Sequence, residues 1–113
     1  MTIEITSNTK ENLPLFFEMI REGNTEKVKE LIAAGYNVNA IFEDGKTPLI
    51  SAAHHGHLKI IKILVEAGAD VNVVDAEQNS PLFSATYRGF QNVAEYLTPL
   101  TNPELREIIQ QQL

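Results

Sequence analysis

The stretch that decides the fold is DGKTPLISAAHHGHLKIIKILVEAGADVNV, at residues 44–73. A helix begins at Thr47-Pro48, because the threonine hydroxyl can accept a hydrogen bond from a free backbone N–H and proline has a preset φ at the first helical position. Gly56 ends this helix, since glycine adopts the left-handed conformation just past a helix end with little strain. The stretch therefore opens with one short helix.

A second helix runs from near Leu58 to Gly68. Its apolar residues recur at spacings of three and four, as expected of a helix with one buried face: Leu58, Ile61, Leu64 and Val65. The segment before the first helix, residues 38–45, carries β-branched residues and ends in Asp44-Gly45, a tight-turn signal. The pattern predicts helix–turn–helix units separated by projecting hairpins.

The chain repeats this unit with a period of 33 residues. Gly23, Gly56 and Gly89 are equally spaced along the sequence. Further residues keep the same step: Leu31, Leu64 and Leu97; Pro48 and Pro81; Ala52 and Ala85. Such a period indicates stacked supersecondary units, each of which completes the hydrophobic core of its neighbour.

Residues 44–73 resemble an ankyrin repeat over their full length. The resemblance combines the Thr-Pro-Leu start, the Ala-Ala pair, Gly-His, the aliphatic second helix and Gly-Ala-Asp-Val-Asn, at the period of that family. The preceding copy lacks the Thr-Pro start, and the following copy loses the Gly-Ala-Asp ending. The resemblance implies an all-α fold: an ankyrin-repeat solenoid of stacked helix–turn–helix units with projecting β-hairpin loops.

The 113 residues are enough for one domain, since chains divide at about 100–200 residues per domain. Asn102-Pro103 is a helix start, and an apolar stripe follows it: Leu105, Ile108, Ile109 and Leu113. We expect a polar N-terminal tail and a single repeat domain. The expected boundaries are residues 1–12 for the tail, 13–113 for the domain, about 13–43, 44–76 and 77–100 for its units, and about 103–112 for a C-terminal capping helix.

Composition excludes several functional classes. Nine basic against fifteen acidic residues give a net charge of −6, which works against binding to nucleic acid or to anionic membranes. The first residues have no basic start followed by an apolar block, so we expect no secretory signal. The chain has no cysteine, which excludes thiolate zinc sites and fits a reducing compartment. We therefore expect a cytoplasmic protein.

The histidines and serines do not form a recognisable chemical site. His54 and His55 are adjacent and point about 100° apart on a helix, and Gly56 breaks the helix before His57, so the spacing does not suit a metal. The hydroxyls of Ser51 and Ser84 repeat at the 33-residue period and are better explained as one packed position. No phosphate-binding glycine motif occurs. We expect no metal, no cofactor and no enzymatic activity.

The resemblance implies a module that binds another protein. Its concave surface, formed by hairpins and first helices, would present rigidly held side chains, so that little conformational entropy is lost on docking. The expected contact residues are carried over from matching family positions. They are Arg21, Glu22, Phe42, Glu43, Asp44, Lys46, His54, His55, Glu77, Asn79, Tyr87 and Arg88.

Two features refine this expectation. Phe42 occupies the position matched by Asp75 one period later, where the family usually carries a polar residue; it is either an exposed interface anchor or packs on Ile41 or the first helix pair. Other aromatic residues fall within the helical pattern and are expected in the core: Phe16, Phe17, Phe83 and Tyr96. The hairpins are expected to be acidic, because they carry Glu43, Asp44, Asp75 and Glu77. An acidic edge favours a partner with a basic patch.

Self-association is the alternative function. A short array of repeats has two terminal faces, and apolar residues near the C-terminus could pair with a second copy to form a homodimer. These residues are Ala94, Leu97, Leu100, Leu105, Ile108 and Leu113.

Overall fold

The computed structural model describes residues 13–113, in which three helix pairs are followed by a single helix. In chain order these are α1 (Leu13–Glu22), α2 (Thr25–Ala33), α3 (Pro48–His54), α4 (Leu58–Glu66), α5 (Pro81–Arg88), α6 (Gln91–Leu97) and α7 (Pro103–Gln112). None of these helices is both long and apolar enough to cross a bilayer. The expected polar tail, residues 1–12, lies outside the described residues.

Helix starts follow the sequence signals. The side chains of Thr47, Ser80 and Asn102 each accept a hydrogen bond from the backbone N–H three residues later, at 3.2, 3.0 and 2.8 Å. A proline stands at the start of each of these helices. The predicted Thr47-Pro48 start is therefore confirmed. Gly56 adopts a left-handed φ of 73° just after α3, as predicted for a helix stop.

The helices form two layers around one continuous core. The first helices α1, α3 and α5 pack side by side, and the second helices α2, α4 and α6 pack in the same order. Leu64 is fully buried between them, as predicted. Phe16 and Phe17 are buried, whereas Phe83 and Tyr96 are half-buried at the edge of the core. Each helix pair therefore depends on the neighbouring pairs to bury its apolar side chains.

Neighbouring units are also joined by polar contacts. The side chain of Asn39 donates to the carbonyl of Gly68 at 3.1 Å and accepts from the N–H of Asp70 at 2.8 Å. One period later, the Asn72 side chain accepts from the N–H of Asn102 at 2.8 Å, which ties α7 to the second unit. The same asparagine position thus fixes two successive junctions.

The expected hairpins are tight turns without paired strands. In the first turn, residues 42–46, the N–H of Phe42 donates to the Lys46 carbonyl at 2.8 Å; in the second, residues 75–79, the N–H of Asp75 donates to the Asn79 carbonyl at 3.1 Å. A single backbone hydrogen bond, from Ala76 N–H to the Asp44 carbonyl at 2.9 Å, joins the two turns. Within residues 13–113 no strand forms, because the arms are too short for a ladder of hydrogen bonds.

Candidate functional site

Most of the predicted contact residues come together in two adjoining grooves. The first groove encloses about 300 Å³ and is lined by Phe17, Arg21, Phe42, Glu43, Asp44, Lys46, Ser51, His54 and His55. The second groove also encloses about 300 Å³ and is lined by His54, Asn79, Phe83, Ser84, Tyr87 and Arg88. Because His54 borders both, they form one surface, which we call the groove face. Glu22 and Glu77 are exposed but line neither groove.

Phe42 packs on the first helix pair. Its ring stacks on that of Phe17, with centroids 5.0 Å apart and planes 24° apart. Phe17 is buried together with Leu13 and Ala40 in a small apolar cluster that Phe42 covers. Of the alternatives open from the sequence, the structure therefore supports packing. Phe42 is only half-buried, so its ring also forms part of the groove floor.

Asp75 does not belong to an acidic surface, which corrects the prediction made for it. Its carboxylate is fully buried and receives the Lys46 ammonium at 2.8 Å. The backbone N–H groups of Glu77 and Asn79 each donate to its Oδ1 at 2.9 Å. Burial raises the pKa of Asp75, but the hydrogen bonds from Lys46, Asn79 and Glu77 outweigh it, so this pKa lies below its usual value. The exposed acids at the turns are Glu43, Asp44 and Glu77.

Lys46 consequently has a structural role beside its place in the first groove. Its side chain spans 29 positions in sequence to hold the second turn. It is still partly exposed, with 38% of the side chain accessible. Its charge is offset by Asp75, so it contributes little net charge to the groove.

A hydrogen bond between His54 and Arg88 connects the two grooves. The Arg88 guanidinium donates to His54 Nε2 at 2.8 Å, which requires that nitrogen to be unprotonated. Partial burial lowers the pKa of His54, and the positive charge of Arg88 lowers it further. His54 is therefore held neutral, and Arg88 is held beside it. The Arg88 guanidinium also lies 5.8 Å from the ring centre of Phe90.

The other two histidines have backbone partners. Nδ1 of His55 lies 2.9 Å from the Ser51 carbonyl, and Nε2 of His57 lies 2.9 Å from the Arg21 carbonyl. Because a carbonyl only accepts, each of these nitrogens donates. His57 thus joins α1 to the second unit. Over residues 13–113, no three His, Asp or Glu side chains are grouped so as to hold a metal ion.

Tyr87 is the most open aromatic residue of the groove face. It is 74% exposed, and its ring stacks on Phe83 with centroids 5.8 Å apart. This support orders the ring while leaving most of its surface free. An ordered, exposed tyrosine beside an arginine is a common feature of binding surfaces.

Sequence reasoning missed several residues of this surface. Phe17, Ser51, Phe83 and Ser84 line the grooves although they were assigned to packing. Ile41 and Val74 line neither groove, but they precede the turns and are 69% and 42% exposed. These two stand 33 positions apart, so the repeat alignment could have identified them as one exposed position. The grooves are lined from several helices at once, which no local pattern reveals.

The C-terminal face differs from the prediction made for it. Leu97 is fully buried in the core and cannot pair with a second copy, because the core takes up its whole side chain. Ala94 and Leu105 are half-buried. Leu100, Ile108 and Leu113 remain substantially exposed. The exposed apolar area there is smaller than the sequence indicated.

Fold and surface together define a class, the helical-repeat solenoids, in which stacked helix pairs carry a lateral binding surface. A family model described as ankyrin repeats (3 copies) matches residues 16–106. The chain belongs to the ankyrin-repeat family. A search of curated proteins found no match. Ankyrin repeats generally mediate binding between proteins and are typically not catalytic.

Proposed function

We propose that this chain is a non-catalytic module that binds a partner protein through the groove face. The observation that carries the proposal is that ten of the twelve predicted contact residues line two grooves sharing His54. These residues were predicted from the matching positions of the ankyrin family, without reference to their contacts. Their assembly on one surface supports a common role in binding.

The groove face is organised before any partner arrives. Phe42 is stacked on Phe17, Lys46 is paired with Asp75, and Arg88 is bonded to His54. Side chains that are already ordered lose less conformational entropy on binding. The acids Glu43, Asp44 and Glu77 favour a partner with a basic patch.

We further propose a cytoplasmic location, because the lack of cysteine fits a reducing compartment.

The proposal is tested by quantitative affinity capture with two matched bait variants. Tyr87→Ala with Arg88→Ala removes two exposed groove side chains, whereas Lys59→Ala with Glu66→Ala removes two exposed side chains of α4. We expect the groove variant to lose at least about tenfold of a captured partner and the α4 variant to retain it. Thermal unfolding of both should stay near that of the unmodified protein.

Equal retention by both variants would reject the groove face. So would a loss with the α4 variant alone. Isothermal titration with the captured partner, once purified, then gives the affinity change directly.

Self-association is a second candidate, supported by the exposure of Leu100, Ile108 and Leu113 near the C-terminus. Sedimentation equilibrium at tens of micromolar tests it, since this concentration exceeds a micromolar dissociation constant. A dimer that Ile108→Gln converts to monomer would support this function. A monomer throughout would remove it.

A further inference from the structure

The first groove has an aromatic lining because this chain carries Phe42 in the first turn. Where the second turn places Asp75, the first turn places Phe42. Phe42 and Phe17 stack, and both border the groove of about 300 Å³. The groove thus has an aromatic floor. Its volume is at the lower end for ligand pockets, which suits a single side chain.

The rim of this groove carries negative charge. Glu43 and Asp44 are exposed and line it from the tip of the first turn. Among residues 13–113, the ion pairs are Lys27 with Glu30, Lys29 with Glu26 and Lys46 with Asp75, so neither rim acid is paired. Lys46 also lines the groove, but its charge is offset by Asp75. The two rim carboxylates are therefore available to a cation.

We infer that the first groove accepts an arginine side chain of the partner. This inference rests on the proposed function and specifies the chemistry recognised at that face. A planar guanidinium stacks on an aromatic ring and can bond a carboxylate with two parallel N–H groups. The arginine stem would cover the apolar floor, and its head would reach Glu43 or Asp44. Lysine, a compact and strongly hydrated charge, matches this combination less well.

The lining residues that come from the helices determine where the guanidinium lies. Arg21 borders the groove from α1, and His54 and His55 border it from α3. The positive charge of Arg21 repels a second cation, which directs the arginine head to the turn side. Arg21 should therefore weaken arginine binding, although it lines the same groove. This opposite sign separates electrostatic recognition from a merely structural role.

The test uses N-acetyl-arginine-methylamide, which has neutral ends and a single charge. It is titrated into the full chain labelled with nitrogen-15 while backbone amide shifts are followed. We expect saturable shifts centred on residues 42–46 with a dissociation constant of about 1 mM, as suits a small ligand. The citrulline analogue, which lacks the charge, should bind at least about tenfold more weakly, and the lysine analogue about threefold more weakly.

Variants identify the groups responsible. Glu43→Gln with Asp44→Asn should weaken binding at least about tenfold. Asp44 has a φ of 63°, a conformation that asparagine also adopts readily, so this pair should preserve the turn. Phe42→Leu keeps an apolar floor without an aromatic face and should weaken binding about threefold. Arg21→Gln should strengthen it about threefold, and Glu77→Gln, outside the groove, should leave it unchanged.

Equal binding of the citrulline analogue, shifts that do not saturate, or shifts centred away from the first turn would each overturn the inference. Equal binding of the lysine analogue would instead indicate general attraction to the net negative charge and would also overturn it. The proposed function can fail separately. If the arginine probe fails while the Tyr87 and Arg88 substitutions still abolish capture, the groove face binds a protein through other chemistry.

Discussion

In the first turn the residue that anchors the loop is Phe42, and in the second turn the matching residue is Asp75. Phe42 stacks on Phe17 of α1, whereas Asp75 is buried under Lys46 and two backbone N–H groups. Both turns nevertheless close with the same hydrogen bond, from the first residue of the turn to the carbonyl of the last. One backbone path is thus stabilised by apolar packing in one copy and by charge in the other.

The difference shows how a repeat protein can alter its surface without altering its fold. In the second turn the anchor is ionic: the Asp75 carboxylate is buried and pairs with the Lys46 ammonium. The second turn therefore presents few free charges. The aromatic anchor gives the groove an apolar floor, and beside it Glu43 and Asp44 have no ion-pair partner among residues 13–113. A single substitution between matching positions therefore changes the chemistry offered to a partner.

The largest effect is expected from Asp75→Ala. The substitution removes the acceptor of two backbone N–H groups and leaves Lys46 without its partner, and should lower the free energy of unfolding by about 2–3 kcal/mol. Urea unfolding followed by circular dichroism measures this loss. Glu77→Ala, an exposed acid in the same turn, is the control and should change it by less than about 0.5 kcal/mol. A loss equal to that of the control would contradict the ionic anchor.

Acid should weaken the second turn selectively. The pKa of Asp75 is lowered by folding, so its stabilisation is present above the unfolded value of 3.8 and is lost as the pH falls through the lower folded value. The stability difference between the unmodified protein and Asp75→Asn should therefore be constant from pH 7 to about 5 and shrink below pH 4. His54 has a lowered pKa and destabilises both proteins as the pH falls below 6.5; the Asp75 charge is the weakest of the influences on this pKa, so the effect of His54 largely cancels. A difference independent of pH would show that Asp75 does not act as an anion.

An intermediate effect is expected at the aromatic anchor. Phe42→Ala removes a half-buried ring and its stacking on Phe17, which should cost about 1–2 kcal/mol in the same unfolding experiment. Ile41→Ala is the control, because Ile41 is the adjacent apolar residue and is 69% exposed. If both variants lose equally little, Phe42 does not hold the first turn.

The two anchors also mark how far the sequence could predict this molecule. Helix starts such as Thr47-Pro48, the stop at Gly56 and the burial of Leu64 depend on neighbouring residues and on the repeat, and all three were predicted correctly. The stacking of Phe42 depends on Phe17, 25 positions earlier, and the burial of Asp75 depends on Lys46, 29 positions earlier. Such contacts follow from how units are stacked. The sequence therefore identified ten residues of the grooves but neither their side-chain partners nor the lining residues Phe17, Ser51, Phe83 and Ser84.

The smallest effect concerns the backbone of the turns. The first turn has two successive residues with positive φ, Asp44 at 63° and Gly45 at 76°, whereas the second has one, Gln78 at 69°. Aspartate tolerates this conformation better than glutamine does, because its short side chain can bond locally. Gln78→Gly should therefore raise the free energy of unfolding by about 0.5 kcal/mol, the relief of strain exceeding the added freedom of the unfolded chain.

Gln78 corresponds by the repeat to Gly45, so the comparison in the first turn is Asp44→Gly, at that turn's non-glycine residue with positive φ. It should change the free energy of unfolding by about zero, because aspartate at this position stores less strain. Replicate urea melts of the two variants, interpreted as differences from the unmodified protein, are precise enough to distinguish them. A gain for Asp44→Gly that equals the gain for Gln78→Gly would mean that the two turns store the same strain. Their difference would then lie in the anchoring side chains alone.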